Sequence, residues 1–202
     1  MSPGPRTAAS YRWLIVVGAG FVLMLMVRGF LVQSYFIPSG SMEPTLQPND
    51  RLLVNKVGVE SALRRGDLVV FDGTRAFANE TDYVKRVVGL PGDHVVCCDA
   101  ADLLTVDGTA VKEPYLYPGD RSSDSTFDVT VPAERIWVMG DHRSDSADSR
   151  AHLGDPGGGM VQLDDVIGRV AMIYWPPSRA GVPGAADSLE NILATNAPER
   201  HK

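Results

Sequence analysis

The sequence predicts a mainly antiparallel, all-β domain carried on one N-terminal transmembrane helix. Three observations point there: a 20-residue apolar run close to the amino terminus, short β-type runs recurring through the remainder, and no helical period over ten residues beyond residue 40. With 202 residues, 44% hydrophobic and 22% charged, the chain is long enough for a sizeable core and suits one or two domains.

The apolar run, WLIVVGAGFVLMLMVRGFLV from Trp13 to Val32, contains one charge. At ~1.5 Å per residue a helix of that length crosses a hydrocarbon layer of ~30 Å. Arg28 falls in its last third, where the side chain can reach the outer headgroups. Arg6 and Arg12 precede the run and no basic cluster follows it, so the positive-inside rule leaves residues 1–12 in the cytoplasm and exports everything after residue 32 across the plasma membrane. A cleaved leader would need a shorter apolar core and a small-x-small site directly beyond it, which Val32 to Phe36 do not supply. A buried helix of a soluble domain is disfavoured because no polar face interrupts Leu14 to Val27.

The net charge of -6 is unevenly spread: the first 32 residues hold three arginines and no acid, so the rest sets 16 basic against 25 acidic residues, a net -9. That balance argues against a nucleic-acid partner. Cys97 and Cys98 are adjacent, which excludes the C-x-x-C spacing of zinc and thioredoxin-like sites, so neither a metal nor a cofactor is expected. Outside the cytoplasm the pair could form a vicinal disulfide or stay reduced, and the sequence leaves that open.

Beyond the anchor come RLLVNKV, DLVVF, YVKRVVGL, HVVCC, LLTVDGTAV, TFDVTV, RIWVMG and IGRVAMIYW, separated by Gly, Pro, Asp and Asn. This is the spacing of a β-rich domain over residues 33–175, with Asp107-Gly108 as a two-residue hairpin turn. Residues 176–202 open with Pro176-Pro177, are rich in Ala, Gly and Pro, and hold no apolar run long enough for a second span; a mobile tail is expected.

Five residues past the apolar run the chain reads IPSGSMEPTL from Ile37 to Leu46, where two prolines and a glycine fix a turn that exposes small hydroxyls. A serine hydroxyl is a weak nucleophile and needs an adjacent base. Of the histidines, His94, His142, His152 and His201, none stands in a triad context, and no G-x-S-x-G elbow is present. The chain has four lysines, Lys56, Lys85, Lys112 and Lys202, and Lys85 is distinctive. It lies in the strand pattern YVKRVVGL, with Tyr83 and Val87 on its own face and Val84, Arg86 and Val88 on the other. Burial there would penalise the ammonium form and bring its pKa from ~10.4 toward ~7 to 8, the range of a general base. A third segment, GDHRSDSADSR from Gly140 to Arg150, is dense in short polar groups; it lacks the spacing of a calcium loop, and its two arginines would repel a cation.

Taken together, PSGSMEPTL, RRGDLVVF, YVKRVVGLPGD and GDHRSDSADSR, in that order after one apolar span, resemble the boxes of type I signal peptidases, the bacterial S26 family, in its shorter Gram-positive or actinobacterial form. The resemblance covers residues 13 to about 175 and implies a reduced accessory β-region at about residues 94–139. It also implies a Ser-Lys dyad of Ser41 as nucleophile and Lys85 as base, with Ser39 and the Ser41 N–H as oxyanion donors and Ser146 hydrogen-bonded to the lysine. Asp148 and Arg150 match structural positions, Asp148 being expected to pair with Arg86. Ile37, Pro38, Met42, Leu52, Val70, Tyr83 and Val84 match positions lining shallow pockets for small residues. The implied partners are signal-peptide-bearing preproteins cut after small-x-small and the bilayer itself, with the enzyme expected to be monomeric. His142, Ser144 and Asp145 depart from the commoner pattern of the last box. Two other readings fit parts of the sequence: a self-cleaving Ser-Lys regulator, against which the anchor speaks, and a tethered β-domain that only binds.

Overall fold

Val, Leu and aromatic side chains on alternating positions bury best when their strands pair in register, and the short punctuated runs do so. The computed structural model describes residues 5–58 and 63–184. Seven strands form the larger sheet: β1 (Val32–Phe36), β2 (Arg51–Asn55), β3 (Leu68–Asp72), β4 (Asp82–Gly89), β9 (Arg135–Met139), β10 (Val161–Gln162) and β11 (Val166–Trp175). Their order is β1-β2-β11-β3-β4-β9-β10, every pairing antiparallel. The smaller sheet, ordered β7-β6-β5-β8, contains β5 (His94–Cys97), β6 (Thr105–Val106), β7 (Thr109–Ala110) and β8 (Phe127–Thr130). Asp107 and Gly108, with φ of 50° and 74°, make the expected tight turn between β6 and β7.

Strand β9 joins the two sheets. Ile136 and Val138 pack with Val69, Phe71 and Val87 of the larger sheet, whereas Trp137 and Met139 point the other way, onto Val95 and Phe127 of the smaller one and Leu104 just before β6. The smaller sheet ends at Thr130, and the 135–139 segment, expected within the accessory β-region, pairs with β4 of the larger sheet instead. Cys97 and Cys98 are joined in a disulfide at the end of β5.

Helix α1 spans Pro5–Phe30, and Val32, placed by the sequence at the end of the anchor, opens β1 instead. From Trp13 to Met24 its side chains are exposed. Among the described residues no helix is long and apolar enough to cross a membrane. A four-residue helix, α2 (Gly73–Ala76), capped by the Asp72 carboxylate, links β3 to β4.

The tail also departs from expectation. Residues 176–184 are held: a 3-10 turn covers Pro177–Arg179, and Gly181 exchanges two backbone hydrogen bonds with Ile173. These attachments exist because β3 pairs with β11 only as far as Arg169, leaving the edge at Ile173 open to the returning chain. The rest of the expected tail, 185–202, lies outside the described residues.

Candidate active site

The chemistry gathers where the Ile37–Asp50 loop, strand β4 and the polar segment after β9 meet. The loop is closed at its base, where Ile37 N–H donates to the Asp50 carbonyl and Asn49 N–H to that of Ile37. Its apolar members Ile37, Met42 and Leu46 bury against β2 and β3, so the turn that carries Ser41 stands on a packed floor. Strand β4 pairs with β3 along Asp82–Arg86, but β9 joins it only from Arg86 onward. Tyr83, Val84 and Lys85 thus keep one backbone edge without a strand partner among the described residues.

Lys85 Nζ lies 2.7 Å from Ser41 Oγ, and the lysine is 3% exposed. Burial brings its pKa from 10.5 down to about 8, a fall opposed by the carboxylates of Asp148 and Asp141. No histidine side chain among the described residues hydrogen-bonds to Ser41. His142 stacks on Tyr117 with ring centroids 3.9 Å apart, its Nδ1 sits 3.3 Å from the Gly40 carbonyl, and its N–H donates to the Ser41 carbonyl. Its contacts support the serine turn and do not touch the hydroxyl.

The ion pairs around the dyad are arranged differently from the sequence expectation. Arg86 does not pair with Asp148; it holds Asp141 through Nε at 2.8 Å and Nη2 at 2.5 Å. Its Nη1 reaches the Gly66 carbonyl, and its guanidinium lies 4.0 Å from the Tyr115 ring centroid. The reason is register: Arg86 stands opposite Met139, so Asp141, two residues on, is the acid that folds back onto it. Asp148 is bound by the Arg150 guanidinium at 2.9 and 2.8 Å, and it also accepts from the Gly140 N–H at 2.9 Å and the Arg150 N–H at 3.1 Å. That arrangement, led by the Arg150 hydrogen bond among the charge-favouring contacts, holds its carboxyl below the ordinary range despite burial. Arg143 pairs with Glu113 inside the protein, a contact for which the sequence offered no signal.

Ser146 also differs. Its hydroxyl is buried beside the dyad, near enough to Asp148 to favour the carboxylate, but completes no hydrogen bond to Lys85 or any other group. Gly140 explains how it comes so close. A Cβ there would collide with Ser146 Oγ and lie 2.6 Å from the Ser41 carbonyl oxygen, so only glycine lets the polar segment approach the serine turn.

A cleft of about 640 Å³ opens over the dyad. Ile37, Pro38, Met42, Tyr83 and Val84 line it, together with Ser39, and Ser144 to Ala147 form its opposite wall. Leu52 and Val70 do not line it. Both are 0% exposed, in the core beneath Ile37 and Met42, because the even positions of β2 and the matching residue of β3 face inward. Among the described residues no group of three or more His, Cys, Asp or Glu is placed to hold a metal ion. A hydroxyl touching a buried amine of lowered pKa, in a mostly apolar cleft beside a free strand edge, is suited to acyl transfer on an extended peptide.

Comparisons with known proteins agree on one family. The family described as "Signal peptidase, peptidase S26" matches residues 10–175. A protein named "Probable signal peptidase I" from Mycobacterium leprae is 34% identical, the match covering 94% of this chain and 84% of that one. "Signal peptidase I P" from Bacillus subtilis subsp. natto is 35% identical over 85% of this chain and 91% of its own. Among solved structures, a signal peptidase I from Enterococcus faecalis is 27% identical, covering 54% of this chain and 97% of that one with a TM-score of 0.43.

Proposed function

Because the chain belongs to the signal peptidase family, peptidase S26, we propose that it removes N-terminal signal peptides from exported preproteins as a membrane-bound serine endopeptidase with a Ser41/Lys85 dyad. The observation that carries this reading is the 2.7 Å contact between a serine hydroxyl and a buried lysine whose pKa has fallen to about 8. With the amine neutral, the Ser41 hydroxyl donates along that line, Oγ attacks the scissile carbonyl, and Lys85 takes the proton. The tetrahedral oxyanion is met by the Ser41 N–H and the Ser39 hydroxyl, a donor of the kind worth ~3–4 kcal/mol of barrier. Collapse of the intermediate breaks the C–N bond, Lys85 returns its proton to the leaving amine, and water, activated by the same amine, hydrolyses the acyl-enzyme.

The substrate adds as a strand along Tyr83 to Lys85, and the shallow apolar cleft admits the small side chains of a small-x-small site. Ser146 completes its hydrogen bond to Lys85 as substrate enters, which would satisfy a hydroxyl that is otherwise orphaned. Helix α1 anchors the chain in the plasma membrane with its amino terminus in the cytoplasm and the β-domain outside, a reading supported by its exposed apolar surface and the arginines at its start. Anchoring confines enzyme and signal-bearing substrate to one surface and raises their effective concentration.

The test is cleavage in trans. Purified in detergent, the protein should clip a signal-bearing precursor once, after small-x-small, whereas Ser41→Ala and Lys85→Ala should be inert with unchanged circular dichroism. Parent-level cleavage by either variant would sink the dyad.

A further inference from the structure

The segment after β11, read from the sequence as a mobile tail, reaches the loop that carries Ser41. Arg179 is the contact. Its Nε lies 3.0 Å from Asp50 Oδ1 and its Nη2 3.0 Å from Asp50 Oδ2, a forked pair with a carboxylate that is 1% exposed. The same Nη2 donates to the Thr45 carbonyl at 3.1 Å. Asp50 closes the base of the serine loop, its backbone carbonyl accepting from Ile37 and its carboxylate from the Gln47 N–H. Thr45 stands on the far limb, where its hydroxyl donates to Asp141, the partner of Arg86. One guanidinium therefore ties together Thr45 and Asp50, the two ends of the limb that leads away from Ser41, and Asp50 in turn holds the other limb through the Ile37 N–H.

The way the segment is held makes this contact persistent. The 3-10 turn at Pro177–Arg179 and the paired backbone bonds between Gly181 and Ile173 fix Arg179 from both sides. Ile173 is also the residue opposite Leu52 of β2, beneath the loop. The strap thus ties the sheet that carries the loop to the loop itself.

We propose that Arg179 is a positioning residue for Ser41, and that the Pro176–Gly184 strap is part of the working peptidase rather than an appendage. The inference rests on the Ser41/Lys85 reading. Arg179 is absent from the cleft lining, so its removal should slow the chemical step and leave substrate binding alone.

The experiment uses the full chain in detergent, with Arg179→Ala and Arg179→Lys compared at a temperature where both are folded by circular dichroism. Expected for Arg179→Ala is a kcat at least tenfold below the parent with KM within twofold, and faster amide hydrogen exchange in the peptide covering residues 37–46 while the smaller sheet exchanges as before. Arg179→Lys, which keeps the charge but not the fork, should recover part of both effects. A kcat equal to the parent's in the alanine variant, or a loss confined to KM, would overturn the proposal, as would a rate loss with unchanged exchange in residues 37–46. If the alanine variant fails to fold, the lysine variant decides by the same readings. Hydrogen exchange reads loop order without turnover, so a parent that cleaves nothing would refute the peptidase reading and leave the strap's hold on the loop separately measurable.

Discussion

Replacing Lys85 by methionine should make the protein more stable at neutral pH while ending turnover. The lysine is 3% exposed, and burial takes its pKa from 10.5 to about 8. In the unfolded chain it titrates at its ordinary value, so between pH 8 and 10.5 the unfolded state binds more protons than the folded one, and stability rises with pH across that window. Below pH 8 the full penalty for burying the ammonium form is present; above 10.5 it is gone. At about 1.36 kcal/mol per pH unit the gap corresponds to ~3 kcal/mol. Methionine fills similar volume with nothing to desolvate, and it gives up only the hydrogen bond to Ser41, worth about 1 kcal/mol. Lys85→Met should therefore gain ~2 kcal/mol at pH 7 and lose that gain by pH 10.5. Guanidinium unfolding followed by tryptophan fluorescence at the two pH values measures the difference. A variant less stable than the parent at pH 7, or a gain that does not change with pH, would refute the claim that burial penalises the ammonium form of Lys85.

Two further outcomes follow from the same site. The rate kcat/KM should climb about tenfold between pH 7 and pH 9 and then level, because an amine of pKa about 8 passes from roughly a tenth to nine-tenths neutral; a lysine at 10.5 would instead give about a hundredfold rise with no plateau by pH 9. The limb should keep its midpoint in His142→Ala. Asp141→Ala would strand the guanidinium of Arg86, 1% exposed, and should cost ~3–5 kcal/mol of unfolding free energy in the same denaturant assay; a loss under 1 kcal/mol would show that the pair is not buried as described.

Much of the β-domain was legible because its signals are local. Period-2 alternation marked β4, and Asp107-Gly108 marked a hairpin whose two positive φ angles those residues tolerate. Lys85 and Ser41 could be singled out for proximity because lysines are scarce and one lies inside an apolar strand. What failed was choice among equivalents. Asp141, Asp145 and Asp148 sit in one short segment, and which of them meets Arg86 depends on the β4–β9 register across 55 residues of sequence. The Arg143–Glu113 and Arg179–Asp50 pairs are joined over 30 and 129 residues, and nothing in their neighbourhoods names the partner. Leu52 and Val70 illustrate a different limit. A residue under a pocket and one lining it share the same strand pattern, and only the floor's actual depth separates them.

The charges around Lys85 form pairs for a reason that bears on its acidity. Asp148 and Asp141 both act to keep the ammonium form, and either one unpaired at this depth would pull the pKa back up. Each is instead held by an arginine, Asp148 by Arg150 and Asp141 by Arg86, so the field each carboxylate exerts on the amine is partly cancelled at its source. Buried pairs of this kind add little net stability compared with apolar packing of the same volume. Their value lies in neutralising one another while fixing the polar segment beside the serine turn: Asp148 holds the Gly140 N–H, and Arg143 holds the Gly140 carbonyl. Gly140 in turn admits Ser146 to the dyad, so the groups that let the lysine lose its proton also set where the neighbouring hydroxyl stands.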